Sequence, residues 1–321
     1  MDIMERKYWI DYTKLLAMML VFNSHMDKLY PVPQLASGGA LGNVLFFLVC
    51  GYTWKSGVTY KSTIFSKWYG SKIKRIWIPT VFANIIYIIL FPVKGWNLHE
   101  FASIFFYPNK YYWFCSAVLV YAAIYFPVIR KGKKATLIAC LIAIVVYFAY
   151  YFLLMDRSNF NVESIGYGKW TRFSFYLICV LVGTTNKCHE ILCDKKWYYC
   201  TMSIILFAAT NALKMSMARL PILLDYQFIC QFFTLINAIT IMKFFQTIEL
   251  DLKKIKISII VREMAKYTWE VYLVQIIVIP FFVGVEFPQN CIFSFIVTWV
   301  IATILHQFFQ KVVFVQHDST K

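Results

Sequence analysis

The residues able to do chemistry are the polar ones in the first long apolar stretch. Asp11, Lys14 and His25 lie there, with Asn23 and Ser24 beside the histidine. Ionisable groups in such a stretch are costly to keep from water and usually serve function. Lys14 and His25 are eleven residues apart. In a helix that spacing falls about 20° from a whole number of turns, so both side chains project from one face, about 16 Å apart along the axis. A face with a cation at one end and an imidazole at the other should line a cavity rather than meet lipid. Imidazole, which ordinarily titrates near pH ~6.5, suits proton transfer at neutral pH. Plainer readings stand beside this one. Lys14 would snorkel to an interface, Asp11 and Lys14 would form a local i,i+3 pair, and His25 would be a packed or interfacial histidine. His306, in the last apolar stretch, is read in that plain way. His99, His189 and His317 lie in loops or the tail and carry no signal.

A second group follows the next apolar stretch. Asn43 through Tyr52 is apolar apart from its ends, and Gly51 inside it implies close backbone approach or a break in the helix. A lysine-rich loop then ends in Lys72-Ile73-Lys74-Arg75. Clustered cations suit phosphate groups, and as a charge run they equally set topology.

The elements that must position these residues are membrane spans. Of 321 residues, 60% are hydrophobic and 15% charged, and mean hydropathy is +0.61. A soluble domain is about half apolar and about a quarter charged, so this chain has too little polar surface to cover a water-soluble fold. The composition excludes disorder, a secreted disulfide scaffold and an ordinary cytosolic enzyme. The sequence predicts an all-α polytopic bundle, one integral membrane domain over residues 1–321, with ten spans near 10–28, 39–54, 76–92, 112–129, 135–154, 170–186, 197–213, 224–247, 267–284 and 291–310.

Of the 32 Lys and Arg, 22 fall on the side of the N-terminus, seven on the other side and three (Lys14, Arg172 and Lys243) within spans. That alternation places both termini in the cytoplasm by the positive-inside rule, in a multi-pass protein of the inner (plasma) membrane. The net charge of +16 then reflects topology and attraction to anionic lipid heads, and no nucleic-acid partner is expected. Trp and Tyr at the expected span ends (Tyr8, Trp9, Trp96, Tyr111, Trp170, Trp197 and Tyr198) fit interfacial belts.

Two other features bear on the class of protein. Arg6 and Lys7 before the apolar run from Leu15 to Phe22 resemble the start of a signal peptide, but the small-residue site Ala36-Ser37-Gly38 lies too far beyond it, so an uncleaved span is expected. The nine cysteines are scattered without a CxxC and read as reduced thiols. Cys188, His189 and Cys193 share a loop and could bind a metal in principle, but no metal is expected.

Several segments together resemble the acyltransferase-3 membrane family. Trp9-Ile10-Asp11-Tyr12-Thr13-Lys14, followed at the family's spacing by His25, is similar to its first helix, where Asp-x-x-Arg or Asp-x-x-Lys precedes a histidine. Phe46 through Tyr52 resembles its Phe-Phe-x-x-Ser-Gly-Tyr segment, and Lys72 through Arg75 its Arg-x-x-Arg motif. Tyr112-Trp113-Phe114 resembles the opening of its fourth span. Lys266 through Gln275 resembles its late Ser-x-x-Ile-Tyr-Leu-x-His segment. The markers keep the family's order, and the lysine form is most similar to the fucose 4-O-acetylase-like and polysaccharide O-acetyltransferase branch. This chain departs from the pattern in four places. Lys14 replaces the commoner Arg and loses bidentate geometry, Cys50 stands for Ser, Lys72 stands for the first Arg, and Gln275 stands where many relatives have His.

The resemblance implies transfer of an acyl group, usually acetyl, from cytoplasmic acyl-CoA (acetyl-CoA) to a hydroxyl of an extracytoplasmic or lipid-linked glycan or polysaccharide. Lys72, Lys74 and Arg75 would hold the nucleotide end, and Lys14 a phosphate or the inner part of the pantetheine arm. His25 would act as general base on the acceptor hydroxyl, with an acyl-histidine intermediate as the alternative. Asn43, Tyr52 and Trp113 are candidates for orienting substrate or stabilising an oxyanion, and Asp27 lies too near the outer interface to be given a role. A shared tunnel is expected behind the first helix. The rival is a multi-span transporter or flippase of glycan or lipid, which would use intramembrane polar groups equally well, although the chain shows no internal repeat of the kind common in transporters.

Overall fold

The computed structural model describes residues 7–59, 64–92, 102, 112–158, 170–185 and 195–312. Among these there are thirteen helices: α1 (Tyr8–Ser24), α2 (Gly39–Thr59), α3 (Phe65–Lys72), α4 (Ile78–Leu90), α5 (Trp113–Arg130), α6 (Lys133–Leu153), α7 (Trp170–Thr185), α8 (Lys196–Arg219), α9 (Phe228–Thr247), α10 (Glu249–Lys254), α11 (Ile257–Met264), α12 (Thr268–Val278) and α13 (Gln289–Val312). No strand occurs among the described residues. Seven helical segments are long and apolar enough to cross a membrane. Each expected span coincides with a helix, but α1, α7 and α12 are shorter, at 17, 16 and 11 residues, with a 3₁₀ turn Ile279–Phe282 extending α12.

Several boundaries differ from expectation. α2 runs to Thr59 and α8 to Arg219, past the expected ends, because adding a residue to an existing helix is far less costly than starting one. α1 ends at Ser24, before His25. The lysine-rich segment expected as a loop is largely helical. α3, a π turn at Ile73–Trp77 and α4 form one 26-residue helical segment, Phe65–Leu90.

The chain divides into two compact units, with α1 passing from one to the other. The first comprises residues 1–19, 39–61 and 127–265. In it α2 and α7 lie backbone to backbone. A Cβ on Gly51 would run into the Val180 carbonyl, and one on Gly183 into the Leu48 carbonyl. Gly51 therefore marks close approach and not a break, the usual role of small residues between membrane helices. Tyr147, fully buried, donates to Gln231 Oε1 at 2.7 Å, tying α6 to α9. The start of α1 is held by Glu249, whose carboxylate accepts from the backbone N–H of Tyr8 (2.9 Å) and Trp9 (2.6 Å). Those N–H groups have no partner within the helix, and a carboxylate there also offsets the positive helix end.

The second unit comprises residues 20–38, 62–126 and 266–321. α12 and α13 form a hairpin joined near α13's end by His306 Nδ1 and Glu270 Oε1, 2.8 Å apart. Phe82 of α4 packs its ring on Phe308 and Phe309 of α13, with centroids 5.9 and 5.6 Å apart.

Candidate active site

His25 belongs to the second unit. α1 tightens as it ends, with His25 N–H donating to Phe22 O at 3.1 Å and Met26 N–H to Asn23 O at 3.1 Å. The imidazole is half-buried, and no hydrogen bond joins it to a described residue. Its backbone is fixed from two directions. Asn23 Nδ2 donates to the carbonyls of Leu35 and Ser37, each at 2.9 Å, and its Oδ1 accepts from the Tyr30 hydroxyl at 2.6 Å. Asn290, in the first turn of α13, donates from Nδ2 to Leu29 O at 2.7 Å. Phe22 meets Phe295 edge to face, with centroids 5.5 Å apart. The ring is thus presented by a fastened turn and is not itself consumed in fastening it. α1 stops one residue before His25, so the imidazole is carried by the turn that follows the helix and not by the helix that carries Lys14.

Three cations stand at the entry to α4. Lys74 and Arg75 are exposed within the π turn, and Lys72 is half-buried with Nζ 5.3 Å from the centre of the Trp68 ring. A π turn offsets the helix by part of a turn and often marks a functional position. Here it turns Lys74 and Arg75 outward while Ile76 is buried.

Trp113, half-buried, opens α5 in the same unit. Beside it, the Tyr112 hydroxyl donates to Leu273 O at 2.9 Å, and the Phe114 ring meets Trp269 and Tyr272, with centroids 6.3 and 5.3 Å away. The two segments singled out by sequence, around 112–114 and 266–275, therefore pack on each other. Gln275 is fully buried, and neither polar atom of its amide has a hydrogen-bond partner among the described residues.

Lys14, Asn43 and Tyr52 belong to the first unit. Lys14 is half-buried on α1 beside fully buried Thr13. Asn43 Oδ1 is buried and has no hydrogen-bond partner among the described residues. The Tyr52 hydroxyl accepts from Lys7 Nζ at 3.1 Å, and its ring meets Trp9 edge to face at 4.8 Å. That contact gives Tyr52 a packing role that its sequence position did not disclose.

Neither Glu249 nor Asn290 stands out in the sequence, and Asn23 stands there only as a neighbour of His25. Glu249 lies 241 residues from the N–H it caps at Tyr8, so no local pattern reveals it. Asn290 falls one residue before the expected span 291–310 and carries no signal of its own. No group of three His, Cys, Asp or Glu able to hold a metal occurs among the described residues, and Cys188, His189 and Cys193 lie outside them. No disulfide occurs among the described residues.

Residues 7–306 match the family model described as an acyltransferase domain, so the chain belongs to the acyltransferase-3 family and is a membrane acyltransferase. No curated protein and no solved structure matches it.

Proposed function

We propose that the protein moves an acetyl or related acyl group from cytoplasmic acyl-CoA to a hydroxyl of an extracytoplasmic or lipid-linked glycan. It would do so as a ten-span protein of the inner (plasma) membrane with both termini inside, in the fucose 4-O-acetylase-like and polysaccharide O-acetyltransferase branch of its family. The observation that carries this reading is the His25 imidazole, held on a fastened turn by Asn23 and Asn290 yet making no hydrogen bond to a described residue. A ring held that way is ready for a substrate proton.

In this mechanism His25 takes the proton of the acceptor hydroxyl as its oxygen attacks the thioester carbonyl. A C–O bond forms and the C–S bond breaks. The imidazolium then returns its proton to the departing thiolate, so the base is regenerated. Lys72, Lys74 and Arg75 hold the phosphates of the donor, supported by their grouping at one turn and the exposure of Lys74 and Arg75. Lys14 supplies a further positive charge to the donor. Asn43, whose buried side-chain oxygen has no described partner, orients the acceptor, with Trp113 offering a ring face. Tyr52 is the third candidate for orienting the acceptor, with its ring held by Lys7 and Trp9.

Mass spectrometry of surface glycan from cells with and without the gene tests this reading. Loss of O-acyl groups from glycan otherwise normal in amount is the expected result. Glycan absent from the surface or retained inside the cell would favour a transporter and overturn it.

A further inference from the structure

We propose that the second unit holds one chain of an anionic glycerophospholipid in a groove between α4, α12 and α13. The groove has a volume of about 330 Å³ and is lined solely by apolar side chains, among them Phe82, Ile86, Val274, Ile277, Val297 and Ile301. That volume has room for about ten or more water molecules, but water needs two to four polar partners and the lining provides none. Left empty, it would be far larger than the voids of a close-packed interior. Hydrocarbon is the filling that suits it. Phe281, Leu90 and Ile301 along the groove are 60%, 46% and 40% exposed, so a chain can enter sideways from the bilayer. From Phe82 to Leu90 the groove follows α4 for about 12 Å, most of the depth of one leaflet of a hydrocarbon core about 30 Å thick.

The charges at the two ends give the occupant a head and a direction. The start of α4, the start of α12 and the end of α13 come together at one end, as the Phe82 contacts with Phe308 and Phe309 and the Glu270–His306 bond show. Each element carries exposed basic residues there: Lys74 and Arg75 before α4, Lys266 before α12 and Lys311 in the last turn of α13. At the other end the loop Val283–Pro288 has exposed Glu286 and no basic residue. A chain lying in the groove with its phosphate at the Lys266 and Lys311 end meets both the apolar lining and the cations. A zwitterionic lipid gains less there, and an uncharged one nothing. The site does not depend on the acyl-transfer reading, and Lys266 and Lys311 have no part in that reaction.

The test is native mass spectrometry of the full-length protein in mild non-ionic detergent with phosphatidylglycerol or phosphatidylcholine added. Three forms are compared: wild type, Ile86→Trp to fill the groove, and Lys266→Ala with Lys311→Ala. We expect wild type to retain one phosphatidylglycerol at least ten-fold in preference to phosphatidylcholine, and Ile86→Trp to retain neither. The double lysine variant, whose substituted side chains are exposed, should lose most of that preference. Equal retention of the two lipids by wild type, or undiminished phosphatidylglycerol on a folded Ile86→Trp protein, would overturn the site. Stoichiometric displacement of phosphatidylglycerol by a long-chain acyl-CoA would also overturn it and give the groove to the donor's acyl chain. Dimers appearing in place of bound lipid would give it to a second copy of the chain.

Discussion

Replacing Asn23 by alanine should detach the turn that carries His25 while leaving the histidine in place. The side chain makes three hydrogen bonds, to Leu35 O, Ser37 O and the Tyr30 hydroxyl, at 2.9, 2.9 and 2.6 Å. A hydrogen bond contributes about 0.5–1.5 kcal/mol net. The bond to Leu35 is exposed and the other two are part-buried, which favours the lower half of that range and a total of about 2 kcal/mol. At about 1.4 kcal/mol per factor of ten, the fastened turn would become roughly 30-fold less favoured. The assay is initial rate of acyl transfer by purified protein in proteoliposomes, alongside the detergent melting temperature. Asn23→Ala should lower kcat by about ten- to thirty-fold with a modest loss of melting temperature. Tyr30→Phe, which removes one of the three bonds, should lower it by only a few-fold. Wild-type kcat in Asn23→Ala would refute the idea that this amide positions the imidazole. So would a Tyr30→Phe defect as large as that of Asn23→Ala.

Three further outcomes follow from the packing and the charges. Gly183→Ala would press a methyl into the backbone of Leu48, forcing α2 and α7 apart at a cost of about 1–3 kcal/mol, whereas Gly70→Ala on α3, with no atom within 4 Å of the added carbon, should be neutral or slightly stabilising; melting temperatures of the two compare them directly. His306→Phe leaves the Glu270 carboxylate buried without its 2.8 Å partner and should cost about 1–3 kcal/mol, seen as a lower melting temperature, while transfer per folded molecule stays near wild type. Lys72→Ala with Arg75→Ala should weaken acetyl-CoA binding by ten-fold or more in isothermal titration, and unchanged binding would place the donor's phosphates elsewhere.

The helices were legible because hydrocarbon demands long apolar runs, and ten such runs each gave a helix. Where polar residues extend a helix beyond hydrocarbon, periodicity and hydropathy lose sight of it. Phe65–Lys72, with Ser, Lys and Gly among its eight residues, reads as a loop and is helical because it continues through the π turn into α4. Gly51 announced something unusual but not which, since close approach depends on a carbonyl 129 residues away at Val180. The sequence offers the residue types of a candidate site but not the supports of His25. Asn290 is an ordinary polar residue until Leu29 O is placed 2.7 Å from it. Tyr52 is legible as a candidate for orienting substrate, while its contacts with Lys7 and Trp9 are not legible in the sequence. His306 was read as a packed histidine, and its bond to Glu270 within the α12–α13 hairpin is of that kind.

The most direct test of the central claim is transfer of labelled acetyl from acetyl-CoA to an acceptor glycan by proteoliposomes carrying wild-type protein or His25→Ala. The account predicts ready transfer by wild type, and a loss of at least a hundred-fold in His25→Ala with acetyl-CoA binding intact. Transfer by His25→Ala at the wild-type rate would contradict it.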